Sequence, residues 1–174
     1  VIDQTGEIIA RHHKTKLTPK EAIAYSPGKR PTVFNFQNIP MGVVICFEGF
    51  RFPETTRELA RSGAKIVFHP QFNHVLPGME WKLPVHEALL MARAAENTLY
   101  LVSANMCHAR NNCRSLVIHP KGLIEKASVL GQEMLLVADL DPELATHAFV
   151  RENTLDMSKG LAEGEPQVGG PFTA

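Results

Sequence analysis

Two strand-like runs flanking a short helix-like stretch constrain this chain more than anything else in it. Gly42-Val43-Val44-Ile45 contains no polar side chain and ends at Cys46. Runs of this kind suit strands covered on both faces, as in parallel sheets. Pro53 and Glu54 then open a helix, because proline is tolerated where the first helical N–H groups have no partner. The helix passes through Arg57, Leu59 and Ala60 and stops near Gly63, a plausible C-terminal cap. Lys65-Ile66-Val67-Phe68-His69 is the next strand, ended by Pro70. Strand, helix and strand in this order form a β-α-β unit, which predicts an α/β fold.

The flanking sequence extends the pattern. Val1-Ile2-Asp3 and Glu7-Ile8-Ile9-Ala10 read as strands joined by a turn at Gly6. Residues 15–31 form a long polar loop with three prolines and a glycine, a length that is uncommon unless the loop is used. Val33 to Phe36 reads as a strand and Asn38-Ile39-Pro40 as a turn. A second long loop covers 71–84. From Val85 to Asn97 a helix is predicted, with Val85, Ala88, Leu89 and Ala92 on one apolar stripe. Leu99 to Ser103 is a strand. Ser115 to His119 and Leu123 to Lys126 flank Pro120-Lys121-Gly122 as a hairpin. Met134 to Leu140 reads as the last strand. From Arg151 the chain turns Gly-, Glu- and Pro-rich, which predicts an extended arm. A sequence that opens with Val1, already strand-like, is expected to begin inside a domain.

Charge and cysteine usage narrow the function. The chain has 174 residues, with 18 Lys plus Arg against 18 Asp plus Glu. Zero net charge argues against a nucleic-acid partner and gives no polybasic address for a membrane surface. No apolar run approaches the roughly 20 residues of a membrane span, and no leader with a basic then apolar pattern is visible. Three cysteines are too few for a disulfide scaffold. A reducing, cytoplasmic compartment is expected.

Cys46 stands at the end of a buried strand, just before a turn and a helix. In α/β sheets that edge is where ligand crevices form. A thiolate there can be a nucleophile; a free cysteine can equally be an inert part of the core. Lys14 and Glu21 frame the start of the long loop and, taken alone, read as solvated charges. Glu48 and Glu54 flank the cysteine turn, and the helix dipole alone accounts for Glu54. Cys107, His108 and Cys113, with His12 and His13, match no paired zinc-ligand spacing. Neither a Gly-x-Ser-x-Gly elbow nor a Gly-rich phosphate loop is present.

Several ordered segments over residues 1–141 together resemble the carbon–nitrogen hydrolase (nitrilase) superfamily. Gly6 to Lys14 resembles its catalytic-lysine strand. Pro19-Lys20-Glu21 resembles the position of its second, substrate-side glutamate. Gly42 to Glu48 resembles the nucleophile strand, followed by Arg51-Phe52-Pro53-Glu54, Arg57 and Gly63-Ala64. Arg93 to Asn97 with Asn105, and Ser115 with Pro120-Lys121-Gly122, resemble later segments. There are departures. One extra residue separates Cys46 from the Arg-Phe-Pro-Glu stretch, His12 replaces an aromatic, and Arg114 replaces a glycine. No residue here can be assigned to the family's first catalytic glutamate.

The resemblance implies a four-layer α-β-β-α sandwich, partial here, with residues 1–150 as the C-terminal portion of the domain and 151–174 as the arm. It implies Cys46 as nucleophile and Lys14 as the ammonium that favours a thiolate and stabilises the oxyanion. The Phe47 N–H would be a second oxyanion donor, and Glu21 would hold the lysine or orient substrate. No cofactor and no metal are implied. Expected substrates are small amides or N-carbamoyl compounds cleaved through a thioester, and a homo-oligomer is expected. Nitriles are disfavoured because Phe47-Glu48 stands where the nitrilase branch has Trp-Glu. Two other readings stay open: a non-catalytic binding or assembly protein, and a Cys–His hydrolase of another class.

Overall fold

A computed structural model of the chain describes residues 1–152 apart from positions 75 and 109. Its elements are β1 (Thr32–Phe36), β2 (Ile39–Val43), α1 (Phe47–Arg51), α2 (Pro53–Arg61), β3 (Ile66–Gln71), α3 (Lys82–Asn97), β4 (Tyr100–Asn105), β5 (Leu116–Ile118), β6 (Ile124–Ala127) and α4 (Ala148–Glu152), with short 3-10 turns at Glu21–Ile23 and Pro142–Leu144. The strands form one sheet in the order β1-β2-β3-β4-β5-β6. β2, β3 and β4 are parallel, and the other neighbours pair antiparallel. The expected β-α-β unit is therefore present as β2-α2-β3. Its helix ends as its sequence requires: Gly63 has φ +89°, its N–H bonds Ala60 O, and Ala64 N–H bonds Leu59 O, the paired bonds of a Schellman cap.

One face of the sheet is covered. Val67, Leu101, Leu116 and Ile118 from the strands pack with Leu59 and Ala60 of α2 and Leu90 and Ala94 of α3, all buried. The other face keeps an open apolar trough of about 460 Å³ lined by Phe34, Phe36, Met41, Val43, Phe68 and Val102. The described residues thus supply a helix layer on a mixed six-stranded sheet.

Several expectations are corrected. The turn before β2 falls at Gln37 and Asn38, both at positive φ, so Ile39 and Pro40 belong to the strand. β3 continues through Pro70 to Gln71. The Phe68 and Pro70 carbonyls both point toward β2, accepting from Val44 and Cys46 N–H. The N–H that proline lacks would point the same way, toward the chain just beyond β2, and the regular β2–β3 pairing ends before it, at Val43 and Phe68. Residues 1–10 make only an isolated bridge between Ile2 and Ile8. Residues 134–140 form no strand. Their alternation is strand-like, but Leu135 and Val137 are exposed and no described neighbour pairs with them. α3 buries His86, Leu90, Arg93, Ala94 and Asn97; Val85, Ala88 and Ala92 of the expected stripe face outward and Leu89 is half-buried. The core side of α3 carries Leu90 and Ala94 into the core, and Arg93 on the same side reaches α1, its Nη2 donating to Phe50 O at 3.5 Å. Of the expected arm, 151 and 152 close α4 and the remainder lies outside the described residues.

Candidate active site

The strand–helix junction holds the cysteine. Beyond β2, Val44 and Cys46 still donate to β3, at 3.0 Å to Phe68 O and 3.0 Å to Pro70 O. The chain then reverses into α1, and Cys46 adopts φ +49° and ψ −106°. A side chain at positive φ is strained, a cost of about 1–3 kcal/mol that the surroundings must hold in place. Here the Cys46 carbonyl is the handle. It accepts from Gly49 N–H at 3.1 Å and Phe50 N–H at 3.4 Å, and from His69 Nε2 at 2.9 Å. The half-buried thiol lies 3.8 Å from Asn73 Nδ2 and 3.9 Å from Phe72 O. Phe47, next in the chain, begins α1, where N–H groups have no carbonyl within the helix.

Lys14 and Glu21 are brought together and to Cys46. Lys14 Nζ donates to both Glu21 oxygens at 2.7 Å. Thr18 and Glu21 close a reciprocal box. Glu21 N–H donates to Thr18 Oγ1 at 3.3 Å and Thr18 N–H to Glu21 Oε2 at 2.7 Å, the pattern that Thr-x-x-Glu encodes. Burial alone would raise the Glu21 carboxyl, but the Lys14 ammonium and the Thr18 donors hold it below its ordinary value. Gly28 closes the segment. Its N–H donates to Lys14 O at 2.8 Å, and a Cβ there would stand 2.2 Å from His13 O. Lys14, Lys20, Glu21, Cys46, Phe72 and His74 share the walls of one open cavity of about 540 Å³.

Glu48 ties the two halves of the site together. Its carboxylate is fully buried. Oε2 accepts from His12 Nε2 at 3.0 Å and Ile45 N–H at 2.6 Å. Oε1 accepts from Thr15 N–H and Thr15 Oγ1 at 2.7 Å. Burial pushes the carboxyl up, and the donors from His12, Thr15 and Ile45 outweigh it and bring it down to about 2. One carboxylate therefore anchors the segment around Lys14 to the elbow around Cys46. His12, a departure from the family pattern, is one of its ligands.

Other candidates separate. Cys113 is buried beside Gln71, and burial pushes its thiol up to about 12; Cys107 is exposed. Arg114 pairs with Glu87 through Nε at 2.8 Å and Nη2 at 2.7 Å. Among the described residues no three His, Cys, Asp or Glu side chains are grouped to hold a metal. His69 meets the Cys46 carbonyl rather than its thiol. Sequence reasoning passed over His69, Gln71, Asn73 and Ser103 behind the elbow. The signal was in β3: positions 67, 69 and 71 share one face, and two of them are polar although the face is buried.

Fold and site define an α/β protein with a cysteine at a strained strand–helix elbow beside a lysine–glutamate pair. Residues 1–148 match the carbon-nitrogen hydrolase family, and the chain belongs to it. A "Hydrolase in agr operon" of Staphylococcus lugdunensis is 33% identical over 149 residues, covering 80% of this chain and 61% of that protein. An (R)-stereoselective amidase of Pseudomonas sp is 38% identical over 98 residues, covering 56% of this chain and 34% of its own. The solved NitN amidase from Neterenkonia sp. AN1 superposes with a TM-score of 0.71 at 27% identity, over 93% of this chain and 60% of that one. In a mutant of that amidase, acrylamide has added to the active site cysteine. The chain thus spans less than two thirds of the length of these relatives.

Proposed function

We propose that this chain carries the nucleophile half of a hydrolase that cleaves the C–N bond of a small amide or N-carbamoyl compound. The observation that carries the reading is the elbow itself: Cys46 at positive φ, opening on a cavity it shares with Lys14 and Glu21. The Cys46 thiolate attacks the carbonyl carbon. Lys14 stabilises the developing oxyanion with its ammonium, and the Phe47 N–H is the second donor. Removing a comparable oxyanion donor elsewhere costs about 2.7–4 kcal/mol. Glu21 holds Lys14 in place. Expulsion of the amine leaves a thioester, which water then cleaves. Those two steps need a general acid and base. No residue of the 174 is assigned that role, so it is proposed for a glutamate supplied outside this sequence.

The free cysteines support a reducing, cytoplasmic setting. No described helix is long and apolar enough to cross a membrane. The outward stripe of α3 supports a homo-oligomer. The testing experiment is ammonia release from a panel of short amides by the full-length protein. Cys46→Ala should abolish turnover and leave the fold intact, and Lys14→Ala should lower kcat by orders of magnitude. Turnover that survives Cys46→Ala would refute the nucleophile, and near-normal activity in Lys14→Ala would remove the mechanism.

A further inference from the structure

Behind the elbow lies a chain of buried polar side chains whose hydrogens can be placed from their partners. His69 Nε2 faces the Cys46 carbonyl at 2.9 Å. A carbonyl only accepts, so Nε2 carries the hydrogen and Nδ1 of the neutral ring accepts. Ser103 Oγ has one hydrogen and two acceptors in reach, Nδ1 at 3.0 Å and His69 O at 3.3 Å; Nδ1 is the nearer, so the hydroxyl donates to it. That leaves Oγ free to accept from Gln71 Nε2 at 2.7 Å. Gln71 Oε1 in turn accepts from Asn73 Nδ2 at 2.8 Å. The second hydrogen of that amide is the one available to Cys46 Sγ, 3.8 Å away. Asn73 is itself clamped: its N–H donates to Asn105 Oδ1 at 3.0 Å, and Asn105 Nδ2 returns a bond to its carbonyl at 3.1 Å. All donations run one way, from Asn73 to the Cys46 carbonyl, and the circuit closes on the thiol of the same residue.

We propose that His69, Ser103, Gln71 and Asn73 are positioning residues for the nucleophile, a one-way hydrogen-bond relay that clamps the Cys46 carbonyl in its strained elbow and turns an Asn73 N–H toward Sγ. The proposal rests on the reading of Cys46 as nucleophile. His69, Ser103 and Gln71 are all buried, so each bond is one whose loss leaves a polar group without water. Gly49 makes room for the ring, since a Cβ there would stand 2.7 Å from His69 Cδ2. Burial also holds His69 neutral, down to about 4, which keeps Nδ1 an acceptor for Ser103. A hydrogen bond to the charged form of an acid favours that form, so the Asn73 amide supports a thiolate and the rest of the relay fixes where that amide points.

The test is the pH dependence of iodoacetamide labelling at Cys46 in the full-length protein, followed by mass spectrometry of its peptide. The charged and titratable groups facing the elbow are Lys14, Lys20 and Glu21 from the N-terminal segment, Glu48 from α1, His86 from α3, Cys113 beside Gln71, and His74 on the cavity wall. Asn73→Ala and Ser103→Ala leave all of them in place. Asn73→Ala should move the labelling profile about one pH unit to the alkaline side. Ser103→Ala, two links away, should move it the same way by less. A merely structural role would alter the folded fraction and leave the midpoint where it was. Profiles of both variants that superimpose on the wild type would overturn the relay. A wild-type Cys46 labelled no faster than Cys107 at any pH would instead overturn the nucleophile, and with it the relay's purpose.

Discussion

Glu48 shows how much one side chain can settle. Each of its oxygens accepts one backbone N–H, from Thr15 and from Ile45. Glu48→Gln keeps the volume, but either orientation of the amide sets an N–H against one of those backbone donors. The expected loss is about 3 kcal/mol, the upper range for hydrogen bonds to a charged group, read as a lower urea midpoint with unchanged slope. The same residue gives an acid signature. Its folded pKa lies near 2, below the 4.5 of an ordinary glutamate. Its contribution is complete above pH about 4.5 and is lost as pH falls toward about 2, because the unfolded chain takes up the proton first. In Glu48→Gln that part of the acid-unfolding curve should flatten; an unchanged curve would mean the carboxylate is not the group responsible.

At the scale of elements, the loop that carries Lys14 is as ordered by its partners as any strand. Gly28→Ala tests this: its Cβ would meet the His13 carbonyl, a backbone atom that cannot swing aside. The segment must move, at about 1–3 kcal/mol, and amide turnover should fall further than stability does, because Lys14 moves with it. Equal activity at reduced stability would show that Lys14 holds its place without Gly28. Which parts of this architecture were legible follows from the range of the interactions. The β2-α2-β3 unit was readable because Pro53, Gly63 and the apolar run act locally. The Thr18-x-x-Glu21 box is equally local. The exposed side of α3 was not readable, since Arg93 and Asn97 are buried by contacts made across the fold. The strand expected at 134–140 depends on a neighbour that periodicity cannot supply. At the site, Cys46, Lys14 and Glu21 were identified through the family resemblance and meet around one cavity. The bonds from Glu48 to His12 and Thr15, and those from Ser103 to His69 and Gln71, join residues far apart in the chain and only the folded structure reveals them.

For the whole molecule, two buried histidines bear on acid stability and one outward helix face bears on the proposed homo-oligomer. Burial brings both His69 and His86 down to about 4, with Arg51 and Lys82 adding to the effect at His86. Their unfolded forms take up protons below about 6.5, so stability is full above that pH and declines as pH falls toward 4. Urea midpoints measured between pH 7 and 4 should drop steadily, and His86→Phe, which stacks on Phe50 as the imidazole does, should lessen the drop. The proposed homo-oligomer would form through α3. Val85, Ala88 and Ala92 lie on its exposed side, and the adjoining groove is lined by Leu83, Pro84, Val129 and Leu130. A helix that is apolar on both sides needs two partners, and the sheet supplies only one. A stable interface takes about 800 Å² from each protomer, more than a single helix face offers, so the proposed contact includes the groove as well as the stripe. A two-fold contact places the same patch on both copies, so one substitution is felt twice. Ala88→Arg in the full-length protein would put two guanidinium groups against each other. Light scattering should show the wild type as a dimer or larger and this variant shifted to the protomer mass, with its circular dichroism spectrum intact. Leu130→Asp should do the same if the groove is part of the contact. A wild type of protomer mass, or an Ala88→Arg variant whose mass does not fall, would rule out assembly through this face.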